Sequence, residues 1–137
     1  MSVIYPLAAM VLLTLLVSVF LLLARIRSVN AGAVSMSYYE VCSGARPPVY
    51  VLKTTRHWAN LFEAPVLFYV VCLAALALDQ GQGLFLYLAW GYVGARLLHT
   101  LVHLTYNRVM HRLGLFLLSQ AVLIGLWVVL LLRLPQA

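Results

Sequence analysis

Two stripes of polar side chains run into segments that otherwise look made for lipid. In TTRHWANLFEAPVLFYVVCLAALAL (residues 54–78), Arg56, Asn60 and Glu63 recur at i, i+4 and i+7, which puts all three on one face of a continuous helix. Further on, Arg96, His99 and His103 recur at i, i+3 and i+7, with Tyr92 one turn earlier and Asn107 one turn later. A guanidinium fork suits a carboxylate bidentately, a carboxylate suits an ammonium, and amide and imidazole groups add shorter-range hydrogen bonds. An uncompensated charge at membrane depth costs at least about 2.5–3.5 kcal/mol, so the two stripes are expected to face each other or a shared polar cavity.

The sparest reading is structural. Glu63 bridges Arg96, and Asn60 and the histidines supply hydrogen bonds between helices, each worth under ~1 kcal/mol in measured membrane cases. That reading accounts for one acid and one base. It does not explain the surplus of Arg25, Arg56, Arg108 and Arg112 near the same membrane face, and such an excess of cations calls for an anion from outside the chain. A metal or haem site on His99 and His103 is the third reading. A pair one turn apart lacks a third ligand of definite spacing, although His57 and His111 lie near enough in sequence to be recruited. The neighbouring arginines oppose a divalent cation, so no resident metal is expected.

The elements that must hold these residues are set by composition. Of 137 residues, 65% are hydrophobic and 9% charged, and the mean hydropathy is +1.02. A soluble domain is nearer half apolar and a quarter charged, and so small a globule cannot bury the excess. The chain therefore reads as a single integral membrane domain, all-α, because helices satisfy their own backbone hydrogen bonds in lipid. Four apolar runs predict helices over about residues 3–25, 55–78, 84–106 and 112–134, each long enough to cross a ~30 Å hydrocarbon core. The first lacks a basic segment before it and reads as a retained span rather than a signal peptide.

The loops differ in kind. The first is long and basic, with Arg25, Arg27, Arg46, Lys53 and Arg56 and a Pro47-Pro48 break; the second is short and glycine-rich; the third holds Arg108, His111 and Arg112. Basic first and third loops belong on the cytoplasmic side, with both termini opposite and Arg133 snorkelling at the far end. The net charge of +6 thus reads as membrane orientation, and no nucleic-acid partner is expected. Cys42 and Cys72 suggest neither a disulfide framework nor a metal site. Trp58, Trp90 and Trp127 read as interfacial anchors or packing residues, and Gly91 and Gly94 as close helix-packing positions.

The combination Arg56-xxx-Asn60-xx-Glu63-x-Pro65, then Arg96-xx-His99-xxx-His103, then Arg108-xxx-Arg112, resembles the MAPEG family, membrane-associated proteins in eicosanoid and glutathione metabolism. The likeness covers essentially the whole chain. It implies a homotrimer of four-helix subunits that binds glutathione between neighbours near the cytoplasmic face. By the match, Arg56, Asn60 and Glu63 hold the tripeptide. Arg96, His99 and His103 complete the pocket from a subunit in contact, and Arg25 adds an anchor. Arg112 matches the arginine that stabilises the thiolate, with Arg108 as the alternative. His103 stands where some members carry a tyrosine, and Ala59 where several carry an arginine.

The expected activity is that of a glutathione-dependent transferase or peroxidase. The activated thiolate attacks a lipophilic electrophile or reduces a lipid hydroperoxide arriving from the bilayer. The expected location is a bacterial inner membrane. A non-catalytic, lipid-binding or scaffolding relative is the alternative from a different class, since fold alone does not settle function.

Overall fold

The computed structural model of the chain describes residues 2–41, 44 and 46–134, and Cys42 lies outside the described residues. Among the described residues six helices follow in order: α1 (Ile4–Asn30), α2 (Tyr38–Val41), α3 (Val49–Leu61), α4 (Ala64–Ala77), α5 (Leu84–Leu104) and α6 (Val109–Leu132). No strand occurs among the described residues.

Three helical segments are long and apolar enough to cross a membrane: Ile4–Asn30, Val49–Ala77 and Val109–Leu132. The intervening helix α5, of 21 residues, is long enough by rise per residue, but Arg96, His99 and His103 lower its apolar character. Each segment shows one buried face and one open apolar face. On α1, Met10, Leu13, Val17 and Leu21 are buried at helical spacing, whereas Leu12, Leu15, Leu16, Val19 and Phe20 are exposed. An apolar surface this continuous is what lipid covers. The chain is an integral membrane protein.

The core joins Met10 and Val17 of α1, Phe68, Val71 and Cys72 of α4, Phe85, Ala89 and Tyr92 of α5, and Leu123, Leu126 and Leu130 of α6. Phe68 and Tyr92 stack at 4.4 Å between centroids and 11° between planes. Helix α5 packs most extensively on α6 and also on α1 and α3, and Arg96 lies on the face turned toward these neighbours while Leu97, Leu98 and Leu101 are exposed. That position explains how it carries an arginine with 0% exposure.

The second predicted helix differs most from expectation. It starts at Val49, directly after Pro48, and it is broken at Phe62 and Glu63. Pro65 is the cause. It has no N–H to donate and its ring clashes with the carbonyl four residues back, so the helix is interrupted before it and restarts with Pro65 in its first turn. Glu63 adopts φ −95° and ψ −98° at the junction, outside helical geometry. The i, i+4, i+7 argument for a single face therefore holds for Arg56 and Asn60 but not for Glu63, which the break re-aims.

Other ends shift by a turn or so. Helix α1 continues to Asn30 and carries Arg25 and Arg27 in its last turns rather than in a loop. Helix α5 stops at Leu104 and Asn107 takes φ 53°, its N–H donating to the Val102 carbonyl at 2.8 Å. Helix α6 starts at Val109, so Arg112 sits in its first turn. At the opposite end, Arg133 Nη1 donates to the carbonyls of Gln80 and Gln82, both at 3.0 Å, and so ties down the α4–α5 turn. In that turn Gly81 lies against Val3, where an added Cβ would come within 2.9 Å of the valine side chain. Gly91 and Gly94 are not close packing positions within this chain, because an added Cβ at either meets nothing within 4 Å.

Candidate functional site

Helices α3, α5 and α6 converge on a cavity of about 360 Å³ at the basic end of the molecule. Arg56 and Asn60 enter from α3, Glu63 from the α3–α4 break, His99 and His103 from α5, and Arg112 from the first turn of α6. Val109, Leu113 and Phe116 supply an apolar wall. An adjoining cavity of about 370 Å³ shares Arg56, His103 and Arg112 and adds Arg46, Lys53 and Asn107. The Arg56 and Arg112 guanidinium groups thus reach both hollows, joined by the Glu63 carboxylate in the first and the Lys53 ammonium in the second.

Arg96 sits behind the cavity rather than on its wall. Its Nη2 donates to Asn60 Oδ1 at 2.7 Å and to the Asn60 backbone carbonyl at 3.2 Å. In an unbroken helix that carbonyl would receive the N–H four residues on; here it has only a long 3.4 Å contact from the Glu63 N–H. The buried guanidinium therefore takes over an acceptor that the Pro65 break leaves short. Asn60 in turn donates from Nδ2 to Glu63 Oε2 at 3.4 Å. The expected direct bridge between Glu63 and Arg96 is replaced by a relay through Asn60, which leaves the Glu63 carboxylate exposed to the cavity.

Several buried polar atoms around this site have no protein partner: Arg96 Nε and Nη1, Arg112 Nε, the Tyr92 hydroxyl, and Nδ1 of His57, His99 and His103. Unsatisfied buried polar groups are rare and cost about 1–3 kcal/mol each, and they concentrate where function requires them. The arrangement can receive an anion with its guanidinium groups and an ammonium with Glu63.

Of the residues read from sequence, Arg56, Asn60, Glu63, His99, His103 and Arg112 meet at this cavity within a single chain, with Arg96 behind them. Arg25 and Arg108 line neither hollow. Arg25 lies over the Tyr39 ring at 5.4 Å, because α1 continues past it and α2 folds back. Arg108 is exposed at the α6 N-cap, so geometry favours Arg112 as the cavity cation.

Three further residues contribute: Asn107 and His57, which the sequence shows on the second polar stripe and as a recruitable imidazole, and Phe116, which it does not single out. Asn107 Oδ1 receives Arg112 Nη1 at 2.8 Å and aims it. Phe116 closes the apolar side. His57 is fully buried, with Nε2 at 2.9 Å from Thr100 Oγ1. Its signal was present in the spacing of Val51, Thr54, His57 and Leu61, all of which form the buried face of α3.

The MAPEG family model matches residues 3–132, nearly the whole chain. No curated protein and no solved structure matches it.

Proposed function

This chain belongs to the MAPEG family, membrane proteins of eicosanoid and glutathione metabolism, and from that membership we propose that it is a glutathione-dependent transferase or peroxidase. The observation that carries the reading is the cavity that Arg56, Arg112 and Glu63 line together with Asn60 and an apolar wall. Glutathione has two carboxylates, an ammonium and a thiol, and this wall offers a complement to each. In this reading Glu63 receives the ammonium, Arg56 and Asn60 hold carboxylate oxygens, and Arg96 keeps Asn60 in register. Arg25 and Arg108 have no part in the single-chain site.

Arg112 is the thiolate stabiliser. A free thiol titrates near about 8.5 and is mostly protonated at neutral pH, and a guanidinium close to the sulfur favours its anion. Each tenfold gain in thiolate corresponds to about 1.4 kcal/mol. The thiolate displaces a leaving group from a lipophilic electrophile, forming the carbon–sulfur bond. On a lipid hydroperoxide, two glutathiones give disulfide, alcohol and water. Val109, Leu113 and Phe116 form the side on which an apolar substrate from the bilayer is met. In this reading His103, which lines the same cavity, hydrogen-bonds the sulfur or the tripeptide.

The assembly we propose is a homotrimer of subunits with four spans, α5 being the fourth, in a bacterial inner membrane with both termini on the non-cytoplasmic side. The basic residues at the cavity end support that orientation. A conjugation assay with an aromatic electrophile, parent against Arg112→Ala, tests the reading. Turnover in the parent and loss in the variant, with assembly retained, supports it. Glutathione binding with no turnover in either favours the non-catalytic alternative.

A further inference from the structure

Beneath the cavity, His57 of α3 meets His99 and His103 of α5. One ring nitrogen of each lies within 4.8 Å of those of the other two, and all three residues are buried. The ring centroids stand 4.7 Å apart for His57 and His103, 5.6 Å for His57 and His99, and 5.8 Å for His99 and His103. From sequence, the His99–His103 pair has no third ligand of definite spacing, only His57 and His111 as candidates. The fold supplies one.

Hydrogen-bond logic identifies the free nitrogen of His57. The Thr100 hydroxyl has one proton and gives it to the Arg96 carbonyl at 2.8 Å. At 2.9 Å from His57 Nε2 it can then only accept, so Nε2 carries the proton and, in the neutral ring, Nδ1 carries the lone pair. That Nδ1 is buried without a partner, and so are Nδ1 of His99 and of His103. A metal-bound imidazole generally has its other nitrogen fixed in this way, which orients the ring.

We infer that His57, His99 and His103 form a three-imidazole site for a divalent transition-metal ion of the zinc type, with the fourth coordination position open to the cavity. Zinc–nitrogen bonds of about 2.0–2.1 Å place two ligands of a tetrahedral ion roughly 3.4 Å apart, within reach of small ring rotations from the present spacing. Three protein nitrogens with one open position is the pattern of sites that bind a reacting molecule rather than of closed structural ones. Arg96 and Arg112 oppose a bare cation here. They favour a cation whose fourth ligand is an anion, because the cavity guanidinium groups then meet opposite charge. Metal and anion therefore reinforce each other.

The inference does not depend on glutathione being the ligand. The test is a titration with Co²⁺ of full-length protein purified without a polyhistidine tag and stripped with chelator, with azide as the small anion. The expected result is the visible absorption of four-coordinate cobalt, saturating at one equivalent per chain and changed by azide. His57→Gln and His99→Gln lose it, and His111→Gln, altered at an exposed ring paired with Tyr106, keeps it. His99→Cys offers a thiolate in place of an imidazole and is expected to add a sulfur-to-cobalt charge-transfer band. No saturable spectrum in the parent, an equal loss in His111→Gln, or no new band in a folded His99→Cys overturns the site. Glutathione binding by a protein that takes up no cobalt overturns this inference alone and leaves the proposed function standing.

Discussion

Arg96 and Asn60 are joined twice: the guanidinium Nη2 reaches both the side-chain oxygen, at 2.7 Å, and the backbone carbonyl, at 3.2 Å. A fully buried charge is thereby fastened to the last turn of α3, just ahead of the Pro65 break. Removing the side-chain half leaves the guanidinium underpartnered. Asn60→Ala is therefore expected to cost about 1.5–3 kcal/mol, the range for hydrogen bonds to charged groups. Thermal unfolding in detergent measures it, and a midpoint equal to the parent's would show that the pair contributes little.

Glu63 is bound more loosely, with Asn60 Nδ2 at 3.4 Å and its carboxylate facing the cavity. Glu63→Gln keeps size and shape and removes charge. Glutathione affinity is expected to fall more than tenfold while the unfolding midpoint stays close to the parent's. Equal losses in binding and in stability would make Glu63 a structural partner instead.

Pro65 sets the break that aims Glu63. Pro65→Ala restores a backbone donor and removes the ring that an unbroken helix does not accommodate, so that α3 and α4 can join. The variant is expected to unfold no earlier than the parent yet to bind glutathione more weakly, because Asn60 and Glu63 are re-aimed. Unchanged binding would show that the break is incidental to the site.

Arg133 provides a contrast at the other end of the molecule. Its two 3.0 Å bonds to the carbonyls of Gln80 and Gln82 hold the α4–α5 turn, remote from the cavity residues. Arg133→Ala is expected to lower the unfolding midpoint and leave glutathione affinity unaltered, both read on the same preparation. A matching fall in affinity would mean that the two ends are coupled.

The helices were legible because lipid demands long apolar runs, and those runs can be counted. Their ends were not, because polarity was taken as a stop. Arg25 and Arg27 are good helix formers, and α1 continues through them to Asn30. Lys53 and Thr54 look like loop, yet the chain is helical from Val49, once Pro48 is past. The Arg56–Asn60 face and the Arg96–His99–His103 stripe could be read because each lies within one uninterrupted helix. Glu63 lines the same cavity, but the spacing argument that put it on the Arg56–Asn60 face runs across a break that Pro65 imposes. The meeting of His57 with the α5 histidines needs the packing of α3 on α5, which no local pattern encodes.

The central claim is that the cations at the basic end receive an acidic thiol peptide, and Arg112 is where binding and chemistry meet. Isothermal titration of glutathione into detergent-solubilised protein, parent beside Arg112→Ala, tests it most directly. The account predicts saturable binding to the parent, with proton release at neutral pH as the thiol ionises, and loss of that proton release in the variant. Absence of heat in the parent, or identical binding and proton release in both proteins, would contradict it.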